Sequence, residues 1–142
     1  MAGYSGTPLP QKLGIKEAHH IAILDGPPKF SATLGALPTG ASVTTTLATR
    51  AKNPPLFDVL VVFVKKRADL VARIAACRPR MQQAAGLWIA WPKKASRVPT
   101  DITEDTIREV ALPTGLVDNK VCAIDDIWSG LRLVIRKDQR RP

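Results

Sequence analysis

Residues 57–64, FDVLVVFV, carry the fold of this chain. All but Asp58 are apolar, and no polar–apolar alternation interrupts them. A strand of that composition is buried on both faces, the mark of a central strand in a parallel sheet. Parallel neighbours are joined by crossovers, usually helical. From Arg67 to Ala84, residues Leu70, Val71, Ile74, Cys77 and Met81 recur on one face, so this stretch is expected to be the crossover helix. Pro79 should kink it or begin a second short turn. After Gly86, residues 87–91 (LWIAW) are again apolar on both faces, a second central strand beside the first.

Outward from this pair the pattern continues. Residues 20–24 form a short apolar strand stopped by Asp25-Gly26-Pro27-Pro28. Over 28–37, Phe30, Leu34 and Leu37 recur at helical spacing before Pro38-Thr39-Gly40, and 42–47 reads as a β-branched strand. Asp101, with Glu104 three residues on, looks like the cap of a helix carrying Ile107, Val110 and Ala111 and ending by Pro113. Residues 119–124 and 131–136 read as strands, and the short link DDIWSG at 125–130 makes them an antiparallel hairpin. The order is strand, helix, two strands, helix, strand, helix, hairpin. It predicts an α/β fold, a small Rossmann-like three-layer sandwich with a mostly parallel sheet ending in an antiparallel hairpin. Residues 1–18 are expected to be an irregular arm that Tyr4, Leu9, Leu13 and Ile15 could pin, 19–137 a single α/β domain, and 138–142 a basic tail.

Composition bounds the function. With 142 residues, 45% hydrophobic and 23% charged, the chain suits one globular domain. The apolar run at 59–64 is too short to span a bilayer, and residues 1–10 show no signal pattern, so a cytoplasmic location without membrane partners is expected. Cys77 and Cys122 make no zinc or disulfide framework, and no metal is expected. Lys plus Arg is 21 against 12 for Asp plus Glu, a net charge of +9 that attracts polyanions. The cations fall in clusters: Lys65-Lys66-Arg67, Arg78/Arg80, Lys93-Lys94/Arg97 and Arg136-Lys137/Arg140-Arg141.

Residues 57–135 (a buried strand, a helix, a glycine-then-strand run, a second helix and a closing antiparallel pair) resemble the second half of the class I methyltransferase-like Rossmann variant. GYSGTPLPQKLGI at 3–15, LWIAWPKKAS at 87–96 and TDITEDTIREVALPTGLVDNKVCAIDDIWSGLRLV at 100–134 resemble an uncharacterised bacterial family catalogued as a domain of unknown function. That resemblance covers nearly the whole chain and implies no reaction and no catalytic residue.

The methyltransferase resemblance implies a nucleoside cofactor, which needs a glycine-rich turn after the first strand and an acid closing the second. Here the first turn is Asp25-Gly26-Pro27-Pro28, and the second strand ends Thr45-Thr46-Leu47. Neither feature is present, so no cofactor is expected. Ligands of open α/β sheets bind beyond the carboxyl ends of the strands. That rule selects Lys65, Lys66, Lys93, Lys94 and Ser96, with Trp91 as a wall and Asp25 nearby, as the candidate ligand-binding residues. His19-His20 lie at the opposite end. Asp125-Asp126 read as turn formers and Trp128 as a cap on the sheet edge. Ser96 and Ser129 lack a nucleophile elbow, and both cysteines read as small buried hydrophobes.

These residues lead to the expectation of a non-catalytic anion- or nucleotide-binding or regulatory module, with a small anionic ligand or an acidic protein as partner. The alternatives are a degenerate methyltransferase-like transferase working at the lysine rim, and a protein that binds nucleic acid nonspecifically through its charge.

Overall fold

The strand at Phe57–Phe63 (β3) lies inside a six-stranded sheet in a computed structural model that describes residues 7–140. Its neighbours are His20–Leu24 (β1) on one side and Met81–Pro92 (β4) on the other, both parallel to it. Beyond β1 lies the short parallel strand Ser42–Thr44 (β2); beyond β4 lie Trp128–Ile135 (β6) and then Leu116–Ala123 (β5), each antiparallel to its neighbour. The order is therefore β2-β1-β3-β4-β6-β5, the expected mostly parallel sheet closed by an antiparallel pair.

The pleat of the central strands divides the core into two layers. Leu60, Val62, Leu87, Ile89 and Trp91 face a cluster that includes Leu70, Ile74 and Cys77 of helix α3 (Arg67–Cys77) and Ile107 and Ala111 of helix α4 (Glu104–Ala111). Val59, Val61, Phe63, Trp88 and Ala90 face the other, with Phe30 and Leu34 of helix α2 (Phe30–Leu34). Leu13 and Ile15 join that second layer just after the one-turn helix α1 (Leu9–Lys12), and the Trp88 indole Nε1–H donates to the Leu13 carbonyl at 3.0 Å. The opening residues from Leu9 are thus pinned through Leu13 and Ile15. Tyr4, proposed as a further anchor, and the tail residues Arg141 and Pro142 lie outside the described residues.

Two local expectations are corrected. The crossover helix ends at Cys77, not at Ala84; Arg78–Arg80 form a single 3-10 turn around Pro79, and β4 already begins at Met81. Met81–Ala85 has good helix formers, but Met81 pairs with Phe57, and pairing on the sheet overrides local propensity. Nor does Asp101 cap α4. Thr103 does so, in a capping box with Thr106. Asp101 instead accepts the backbone N–H of Arg67 at 2.7 Å, capping α3, whose own N-cap position, Lys66, has no side-chain cap.

Candidate functional site

The sheet order fixes where a ligand belongs. From β1 the chain moves through α2 to β2, outward on one side. From β3 it moves through α3 to β4, outward on the other. The connections diverge between β1 and β3, and at such a switch point the carboxyl ends of two strands leave a crevice.

A cavity of about 740 Å³ opens there. Asp25, Pro27 and Pro28 form its β1 side, Phe63 to Lys66 its β3 side, and Asp69, Ala72 and Arg73 of α3 its outer wall. Trp128, at the start of β6, supplies the indole. Its ring meets that of Phe63 edge to face at 5.0 Å, and Phe63 meets Phe30 likewise at 4.8 Å. Asp25 takes a left-handed backbone conformation, φ 60°, and its carboxylate is gripped by Arg73. A second cavity of about 510 Å³ shares Asp25, Pro27 and Pro28 with the first but is otherwise mostly apolar, with Ile23, Phe30, Leu37 and Val43, and it reaches Thr45 beyond β2.

The structure divides the residues singled out from the sequence. Lys65 and Lys66 line the crevice. Lys93 and Lys94 stand on the same rim, since β3 and β4 are parallel, but outside the cavity. Trp91 is corrected: pleat phase turns it into the α3–α4 core, 7% exposed, and the indole at the crevice is that of Trp128. Ser96 holds its own loop, donating to the Lys93 carbonyl at 2.7 Å and accepting from the Val98 N–H at 3.2 Å. Arg73 and Asp69 were missed, because which face of α3 looks over the strand ends is set by packing.

Other clusters are structural. Arg78 and Arg80 bind the carbonyls of Thr114, Pro55 and Leu47, and Arg80 also stacks over Phe57. Arg136 pairs with Asp138. Asp125 accepts the N–H groups of Ile127 and Trp128, both at 2.8 Å, the turn-forming role expected of it. Burial pushes the Cys77 thiol up to about 11 and also raises Cys122, so neither is a ready nucleophile. Among the described residues no group of three or more His, Cys, Asp or Glu could hold a metal, and no helix is long and apolar enough to cross a membrane.

No family model matches the chain, and no curated protein does. Solved structures do. A ribosomal protein L11 methylase from Lactobacillus delbrueckii subsp. bulgaricus aligns with a TM-score of 0.58 at 11% identity, covering 89% of this chain and 74% of that one. An S-adenosylmethionine-dependent methyltransferase from Aquifex aeolicus gives 0.57 at 13% identity over 88% and 87% of the two chains. Aeropyrum pernix fibrillarin with bound S-adenosylmethionine gives 0.58 at 13% over 93% and 70%. The fold is the methyltransferase-like Rossmann fold.

These neighbours overturn the expectation of a non-catalytic binding or regulatory module. That expectation rests on two absent motifs, whereas the fold is shared with methyl-transferring enzymes. The absences themselves stand in three dimensions. A Cβ on Gly26 would meet Ile23 Cγ2 at 3.2 Å, so this glycine is held by packing beneath the turn, and Pro27 and Pro28 offer no N–H to a ligand. Strand β2 ends at Thr44 with Thr45 and Thr46 following, and no carboxylate. What remains suits a donor with a zwitterionic end and a planar, less polar end: Asp25 for an ammonium, Lys65 and Lys66 for a carboxylate, and the apolar cleft for a ring.

Proposed function

We propose that this chain is a methyltransferase-like transferase, degenerate in how it grips its donor. The observation that carries the reading is the pair of adjoining cavities at the switch point, one charged and one apolar, joined at Asp25, Pro27 and Pro28. S-adenosylmethionine bound across them would supply an electrophilic methyl group. Asp25, oriented by Arg73, would hold its ammonium. Lys65 and Lys66 would hold its carboxylate, and Ile23, Leu37 and Val43 would line the cleft for its ring. Thr45 stands near the place of the missing acid. Losing one hydrogen bond to a charged acceptor weakens binding by about 1.5–3 kcal/mol, roughly ten- to a hundredfold. Asp69 lines the crevice and makes no ion pair among the described residues. It is the carboxylate available to take a proton from an acceptor. Membership of the uncharacterised bacterial family, and a cytoplasmic location, belong to the same reading.

Calorimetry with S-adenosylhomocysteine tests it. Saturable binding with a Kd of about 0.1–1 mM is expected, near −4 to −5.5 kcal/mol, and is abolished by Lys65→Ala/Lys66→Ala. No saturable heat up to about 5 mM would overturn the reading.

A further inference from the structure

The loop leaving β4 is built to hold cations in place. Lys93 N–H binds the Ile127 carbonyl at 2.8 Å, and Ser96 closes the turn on both sides. The chain then returns to the end of β3, where Thr100 Oγ1 donates to the Lys65 carbonyl at 2.7 Å and Asp101 N–H reaches the same oxygen at 3.2 Å. Lys65 and Lys66 are thereby joined to Lys93, Lys94 and Arg97 on one braced rim beside the crevice. Among the described residues none of these five side chains forms an ion pair, whereas Arg67, Arg73, Arg108 and Arg136 all do. Arg97 adds an independent sign. It holds φ 60°, a left-handed conformation that glycine adopts freely and that costs a residue with a side chain. Strain kept at an exposed loop position points to a use for the side chain that bears it.

We propose that the acceptor of the transferase is a nucleic-acid strand, its phosphodiester backbone lying along Lys93, Lys94 and Arg97 beside the donor-facing Lys65 and Lys66, and one unstacked base entering the crevice toward Phe63 and Trp128. The proposal rests on the transferase reading and names its substrate class. Backbone contacts supply affinity that weakens with salt, and a base must leave its stack to reach an enclosed site.

Fluorescence anisotropy with labelled single-stranded RNA and DNA of mixed sequence tests it on the full chain. Three phosphate contacts give a log–log salt slope of about −2.1 on either strand type, and the tighter of the two identifies the acceptor. Arg97→Gly flattens the slope by about 0.7, while the melting temperature stays level or rises by up to about 3 °C. Lys93→Ala/Lys94→Ala flattens it by about 1.4. The off-rim control Lys120→Ala/Lys137→Ala leaves it within error. An equal loss in that control, displacement by polyglutamate at matched charge, or no binding at about 50 mM salt overturns the proposal. S-adenosylhomocysteine binding by the Arg97→Gly protein is expected to match the parent's. A parent protein that binds S-adenosylhomocysteine but no strand sinks only this inference, and one that binds a strand but no S-adenosylhomocysteine sinks the transferase reading.

Discussion

Arg73 holds Asp25 by two parallel hydrogen bonds, Nε on Oδ2 at 2.8 Å and Nη2 on Oδ1 at 3.0 Å. The pair ties the middle of α3 to the turn after β1, across the mouth of the crevice. Its side chains are 35% and 49% exposed, so the net contribution to stability is below about 1 kcal/mol. Its main effect is orientation: the planar fork of the guanidinium fixes the direction of the carboxylate.

Asp25 also bears a left-handed backbone, which Asn tolerates more readily than Ala. Asp25→Asn should therefore lose under about 1 kcal/mol in urea denaturation, while Asp25→Ala loses about 1 kcal/mol more. Equal losses for the two would show that the backbone conformation is not a source of strain.

Asp101 caps a helix from another segment of the chain, through Arg67 N–H at 2.7 Å. Asp101→Ala is expected to cost about 1–2 kcal/mol, and Asp101→Asn much less, because an amide oxygen can still accept. Chemical denaturation of both variants checks the ordering.

The Trp88 indole is fully buried and donates to the Leu13 carbonyl at 3.0 Å. Trp88→Phe keeps a ring but leaves that carbonyl unpaired and a void beside it, a loss of about 2–4 kcal/mol. Hydrogen exchange at Leu13 and Ile15 should accelerate in the variant, since the opening segment loses its tie to the sheet. Unchanged protection there would mean that the tie contributes little.

Cys77 couples stability to alkaline pH. Its folded thiol titrates near 11 because burial disfavours the thiolate, whereas an unfolded thiol titrates near 8.5–9. Above the unfolded value the unfolded chain has released a proton that the folded chain retains, so stability falls as pH rises. The fall should be about 2 kcal/mol between pH 9 and 11. In Cys77→Ala the baseline stability is lower, but this portion of the slope disappears; an undiminished slope would assign it to other groups.

The alternation of strands and helices, and the central place of residues 57–64, were legible in the sequence because burial on both faces is written in composition. The turn-forming role of Asp125 was legible too, since it needs only neighbouring N–H groups. Strand order was legible only in the β3–β4 neighbours and the closing hairpin. It depends on which side each crossover takes, and it moved the crevice from the β3–β4 edge to the β1–β3 switch point, bringing Asp25 against Arg73. Pleat phase sent Trp91 inward and brought Trp128 to the cavity, a choice that apolar runs cannot reveal because both faces look alike. Pairing with Phe57 made Met81 the start of a strand where local propensity favoured helix. Ion pairing, likewise, separated the structural arginines from the unpaired rim cations only after distant segments met. The chain's local chemistry thus determined its elements, while long-range packing decided which side chains share a site.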